Sequence, residues 1–385
     1  MNQENQSSTI SKTSNDDEDQ TELHKLVANS PMSTIQIIVV IMCFILNMID
    51  GMDILVVSFT ATKLEAEWGL SKTELGYIFS VGLIGMMIGC LLLAPIADKI
   101  GRSKMIMISM SLAAISMLTT AIIDNYSLML LLRLMTGIGI GCLLPTMAAM
   151  ATEFSNNKRR DFNVAFFQAG WPIGAILTGL FVSWVVPLYG WRAAYLTAGC
   201  FSLGMIPLIY FFMPESLEFL AKKQPKNALN MINNLLKSMG HAKLENLPEK
   251  PIKKTSSIQV SALFSNKLKL STLLLWSGVF FSFMTLYTLI SWIPNIATTT
   301  GMPFELATYA GTVLNLGAFA GTVAIGYLAA HLGLNRLIFL YMTGGFIFMS
   351  LYANLNMGYS LMFLLILLIG FTVQGGMTGF YPAAA

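Results

Sequence analysis

Two carboxylates, Asp50 and Asp53, stand within a long apolar run spanning residues 35–59. A charge at the centre of a membrane helix costs about 2.5–3.5 kcal/mol even on the lenient insertion scale, so such residues point to function. Spaced i, i+3, the pair shares one helix face about 4.5 Å apart along the axis, with Asn47 one turn away. Two carboxylates that close in a poorly solvated place disfavour double ionisation, which lets one of them take up a proton on one side and release it on the other. The competing reading puts both near an interface, where they would cap a helix broken at Gly51.

Arg133 is basic and also lies inside an apolar run, ahead of Gly137, Gly139, Gly141 and Pro145. Closely spaced glycines let a helix or a substrate approach the backbone. A guanidinium there can hold a carboxylate through two parallel hydrogen bonds, or exchange partners with Asp50 or Asp53. Alternatively it snorkels to the headgroups. Trp171 sits in Gly170-Trp171-Pro172-Ile173-Gly174, a sequence that permits a kink. Tyr287 offers an apolar ring and a hydroxyl, and Gln168 a polar group within a run. Trp171, Tyr287, Asn47, Gln168 and Arg133 are therefore the candidate substrate contacts; Asn295, Asn315 and Gln374 are secondary ones. Enzyme signatures of weight are absent. The chain has no Gly-x-x-x-x-Gly-Lys-Ser/Thr phosphate loop, which counts against an ATP-driven pump. His24, His241 and His331 are too scattered for a metal site, and Cys43, Cys90, Cys142 and Cys200 form no Cys-x-x-Cys pair, so neither metal nor cofactor is expected.

The elements that must position these groups follow from composition. With 55% hydrophobic and only 11% charged residues in 385, the chain is too apolar for a water-soluble fold. Its net charge of +3 is too small to point to nucleic acid. Apolar runs long enough to cross a bilayer fall at 35–59, 75–97, 105–123, 127–151, 164–186, 193–213, 271–296, 306–330, 337–355 and 359–381. Lipid cannot satisfy open backbone groups and the runs lack β-barrel alternation, so the expected class is all-α, a polytopic bundle with six spans and then four. Residues 1–34 read as a disordered, acidic cytoplasmic tail. Lys and Arg concentrate in segments on the tail's side, which places the amino terminus inside. Residues 35–213 then form a six-helix bundle. The lysine-rich stretch 214–270 is a linker bearing a solvated amphipathic helix under the membrane, and 271–385 is an incomplete second bundle.

An internal repeat is the most informative pattern. An offset of 232 residues lays the first four spans on the last four, aligning Gly101 with Gly333 and Lys104 with Arg336. Two halves in parallel orientation, joined by a long inner loop, are the plan of a secondary transporter with six spans per half. By that repeat the chain stops two helices early.

The segment Ala94-Pro95-Ile96-Ala97-Asp98-Lys99-Ile100-Gly101-Arg102-Ser103-Lys104 resembles the Gly-x-Leu-x-Asp-Arg-x-Gly-Arg-x-Lys/Arg signature of the major facilitator superfamily, with Ala94 in place of the first glycine. Asp50-Gly51-Met52-Asp53, Arg133-x-x-x-Gly137-x-Gly139-x-Gly141, Glu153 with Lys158-Arg159-Arg160, and Pro214-Glu215-Ser216 are similar to the aromatic acid:proton symporters within it. The resemblance implies a monomeric, proton-coupled symporter of the inner membrane, importing a small organic acid anion such as a hydroxybenzoate by alternating access. It makes Asp50 and Asp53 the proton-coupling pair, and Asp98, Gly101, Arg102, Lys104 and the repeat's Arg336 a conformational gate. Two rivals stand beside it: an exporter of the same fold, against which Trp171 interrupts the expected Gly-Pro pair, and a non-transporting remnant.

Overall fold

The structure, a computed structural model, describes residues 27–247, 269–354 and 358–384. All regular structure among the described residues is helical. Ten helices are long and apolar enough to cross a membrane. They are α1 (Thr34–Trp68), α2 (Lys72–Ile100), α3 (Arg102–Thr120), α4 (Tyr126–Glu153), α5 (Arg160–Tyr189) and α6 (Trp191–Phe212), then α9 (Lys269–Thr299), α10 (Phe304–Leu332), α11 (Leu334–Asn354) and α12 (Tyr359–Ala384). Among the described residues, two short helices, α7 (Leu217–Lys223) and α8 (Ala228–Ser238), lie between α6 and α9.

Several helices outrun the apolar runs. Hydropathy ends near Thr60, yet α1 continues through Ala61-Thr62-Lys63-Leu64-Glu65-Ala66-Glu67, mostly good helix formers, and stops where Gly69 turns left-handed at φ 63°. Ser71 restarts the chain, with its backbone N–H donating to Glu74 Oε2 (2.9 Å) and its hydroxyl accepting from the Glu74 N–H (3.2 Å). Glycines then set how closely helices pack. A side chain on Gly85 or Gly89 of α2 would run into the carbonyls of Leu134 and Ile138 on α4; one on Gly317 or Gly321 of α10 would run into those of Leu367 and Phe371 on α12. The two sets match to within one residue at the 232 offset, so the repeat read from sequence is a repeat of helix packing.

Part of the expected tail and linker is built into the fold. Residues 1–26 and 248–268 lie outside the described residues. Val27 is buried, the Asn157 N–H donates to the Ala28 carbonyl (2.8 Å), and Asn156 Nδ2 donates to the Ser30 carbonyl (2.9 Å). The amphipathic segment is two short helices, α7 and α8, each docked by its apolar face and exposed on the other. Leu220, Ile232 and Leu236 are fully buried in one core with Met150, Phe154 and Met213, closing the end of the first bundle.

Candidate functional site

The crossing of α1 and α5 sets where the acidic pair sits. Gly170 and Gly174 lie against the carbonyls of Phe44 and Met48, and Gly51 against the carbonyl of Trp171, so both backbones come together without side chains between them. Pro172 lies inside α5 and has no N–H, which leaves the Gln168 carbonyl without its helical donor. Asn47 supplies the replacement: its Nδ2 donates to the Phe167 carbonyl at 2.8 Å and the Gln168 carbonyl at 3.3 Å. The donor end of Asn47 is therefore spent on α5. Trp171 contributes its backbone to the crossing and is half-buried, while the Gln168 residue is exposed. None of these three lines the cavity described next.

That cavity holds about 450 Å³ of empty space including its open mouth, and Asp53, Arg133, Thr136, Tyr287 and Ser291 are its polar lining. Ile78, Phe79 and Met86 are among its apolar walls. Most of the lining comes from α1, α2 and α4; Tyr287 and Ser291 come from α9, so the site straddles the two halves. Asp53 is 1% exposed, and its Oδ1 has no hydrogen-bond partner among the described residues. Asp50 is 3% exposed with Oδ1 likewise unpartnered, yet it stands outside the cavity lining. Because α1 runs unbroken through Gly51, neither carboxylate caps a broken helix. Arg133 does not snorkel. It is 4% exposed, its Nη2 donates to Met117 Sδ at 2.9 Å, its Cζ lies 5.1 Å from the centre of the Tyr195 ring, and its Nε has no partner among the described residues. A thioether is a weak acceptor. A buried cation held this weakly keeps donor capacity for an anion in the cavity. Tyr287 stacks on Phe283 at 6.1 Å, and the Phe79 ring meets Trp292 edge-on at 5.4 Å. Aromatic walls, one cation, one carboxyl and a phenol together suit a small planar anion.

The charges expected to form a gate separate into groups. Gly101 turns with φ 113°, and a side chain there would strike the Glu215 carboxylate. That carboxylate accepts from the Ser103 N–H (3.1 Å) and the Ser216 N–H (3.0 Å). Arg102 pairs with Glu153 at the end of α4, with Glu218 of α7 (3.1 Å), and at 3.5 Å with Asp98, which is mostly exposed. Ser216 donates its hydroxyl to Glu153 at 2.5 Å. Lys104 and Arg336 are exposed and make no ion pair among the described residues, so the structure does not bring them into this cluster. In the repeat, Gly333 keeps a left-handed turn (φ 82°) with nothing near it.

At the opposite end of the bundles, the halves bind each other through groups of which sequence reasoning singles out only Asn295. Ser58 of α1 donates to the carbonyls of Ile290 (2.7 Å) and Ser291 (2.9 Å) on α9. Lys72 pairs with Glu65 (2.7 Å) and donates to Asn295 Oδ1 (2.9 Å), while Asn295 Nδ2 donates to Glu65 Oε2 (2.8 Å). The one available signal was the repeat, since the 232 offset carries Ser58 onto Ile290.

Long apolar helices in two similarly packed halves, with a polar cavity between them, define a multi-pass membrane transporter. Residues 43–385 match the family described as the Major Facilitator Superfamily, and the chain belongs to it. It is 29% identical to the gallate transporter of Pseudomonas putida over 92% of this chain and 81% of that one. Against the 4-hydroxybenzoate transporter PcaK of Acinetobacter baylyi it is 29% identical, covering 93% of this chain and 80% of that one. The fold is that of the E. coli xylose transporter XylE in a partially occluded inward-open conformation, with a TM-score of 0.68 at 17% identity over 91% of this chain and 87% of that one.

Proposed function

We propose that the protein is a proton-coupled symporter importing a small aromatic acid anion across the cell's inner membrane, as a single chain with its amino terminus and the α7–α8 linker on the cytoplasmic side. The observation that carries this reading is the buried, weakly held Arg133 lining, together with Asp53, a cavity walled by Phe79 and Tyr287. Gallate and 4-hydroxybenzoate transporters among its relatives support the substrate class. Arg133 takes the substrate carboxylate, Tyr287 meets the ring, and Asp53 exchanges the proton, with Asp50 three residues behind it. Protonating Asp53 removes a buried charge that opposes the incoming anion, so proton and substrate bind together and lower the cost of rearranging the halves. The contacts at the Ser58 end would then open while the linker end closes.

Uptake of labelled 4-hydroxybenzoate into proteoliposomes under an inward proton gradient tests the reading. Asp53→Asn and Asp50→Asn are expected to abolish gradient-driven accumulation with the protein still inserted. Accumulation at the wild-type level in both variants would remove the proposal.

A further inference from the structure

Arg133 is fixed by a residue that no cavity wall contains. Tyr195 of α6 is fully buried, and its ring carries the Arg133 guanidinium at 5.1 Å. The ring is itself braced: Trp191 meets it edge-on at 5.6 Å, and Trp68 of α1 meets Trp191 edge-on at 5.6 Å. Trp191 Nε1 donates to Glu67 at 2.7 Å, which locks that indole against the end of α1. A rigid chain of three aromatic rings thus runs from Trp68 to the face of the guanidinium. A ring on its face leaves the donors in the guanidinium plane unspent, unlike a carboxylate partner, which would consume them. Among the described residues, the planar edge of Arg133 accordingly retains an unpartnered Nε, and Met117 Sδ is the one hydrogen-bond acceptor it has.

We propose that Tyr195 is a positioning residue for substrate: its ring holds the face of Arg133 so that the in-plane donors stay free for the carboxylate of the anion in the cavity. This rests on Arg133 being the carboxylate ligand, as proposed above. A guanidinium without that support would swing toward Asp53 and neutralise itself there, losing both anion affinity and the separate titration of the carboxyl.

The test is equilibrium binding of 4-hydroxybenzoate to the purified full chain in nanodiscs, with 4-hydroxybenzyl alcohol as an analogue lacking the carboxylate. Tyr195→Phe keeps the ring and is expected to bind within about twofold of wild type. Tyr195→Leu is expected to weaken the acid about 5- to 30-fold, the range of a buried cation–π contact, and to leave the alcohol unchanged. Introducing Tyr195→Leu into Arg133→Gln should cost nothing further. Should Tyr195→Leu fail to fold, trifluorophenylalanine at position 195 keeps the ring's shape, drains its π face and is expected to weaken the acid selectively. Wild-type affinity in Arg133→Gln would overturn the assignment of Arg133 as carboxylate ligand. Weakened binding in Arg133→Gln, with Tyr195→Leu or the fluorinated ring harmless, or with acid and alcohol lost equally, would overturn the role of Tyr195 alone.

Discussion

The two ends of the bundle hold charge in opposite ways. At the linker end, Arg102, Glu153, Glu215, Ser216 and Glu218 all belong to the first half or to the helices sealing it, and their network ties α3, α4 and α7 into one body. The far end behaves differently. There Glu65 and Lys72 of the first half reach Asn295 of the second. Burial differs too: the side chains of Arg102 and Glu153 are 13% and 9% exposed, against 51% and 21% for Lys72 and Glu65. Exposed ion pairs are worth little and can be made and broken within a cycle, whereas separating buried charges costs several kcal/mol. By that measure contacts inside the half are the more permanent, and the ion pair between halves the more readily released.

The largest expected effect is at the permanent end. Arg102→Met strands the Glu153 and Glu218 carboxylates, and unfolding in detergent is expected to fall by about 3–5 kcal/mol; an unchanged thermal midpoint would contradict a fixed network. Next comes the α1–α5 crossing, which neither end controls. Asn47→Ala leaves the Gln168 carbonyl unsatisfied beside Pro172, at a cost of about 1–3 kcal/mol on the same assay. At the releasable end, Asn295→Ala is expected to cost only about 1 kcal/mol but to widen the distance between spin labels at Leu70 and Thr300. Unaltered label distances would mean the Glu65–Lys72–Asn295 contact does not hold the halves.

The linker end should also answer to acid. Burial raises the Glu218 carboxyl, but hydrogen bonds and charges from Lys222 and Arg102 outweigh it and hold the group below its ordinary range. A depressed carboxylate stabilises the fold above the free acid's pKa and loses that contribution as pH falls through its folded value. Fluorescence of a probe on α8 followed through mildly acidic to strongly acidic pH should show the linker loosening, and Glu218→Gln should flatten the response. Smallest of all, Arg336→Ala is expected to change stability by less than about 0.5 kcal/mol, since the repeat of this loop retains the turn without the network.

Much of the fold was legible because membrane spans obey a simple constraint: lipid rewards long apolar helices and penalises everything else. All ten spans and their 232-residue repeat followed from that. Helix ends did not, because the last two turns of α1 depend on helix propensity and Gly69 rather than hydropathy. Charges were legible as exceptions to the apolar rule, which marks Asp50, Asp53 and Arg133. The groups that hold Arg133 were not: Met117 and Tyr195 lie on other helices, and nothing in their spacing ties them to it.

The sequence by itself determined that this chain crosses the membrane in two related halves, places carboxylates and an arginine where they are costly, and carries the family's loop signature. Tertiary structure alone decided that Asp53 rather than Asp50 faces the cavity and that Asn47 serves Pro172's orphaned carbonyl. It also decided that Arg102 binds within its own half, and that the halves meet at the Ser58 end. The physical reason is that hydropathy acts on each residue separately, whereas partners are chosen by helix crossing angles and by where glycines let backbones touch.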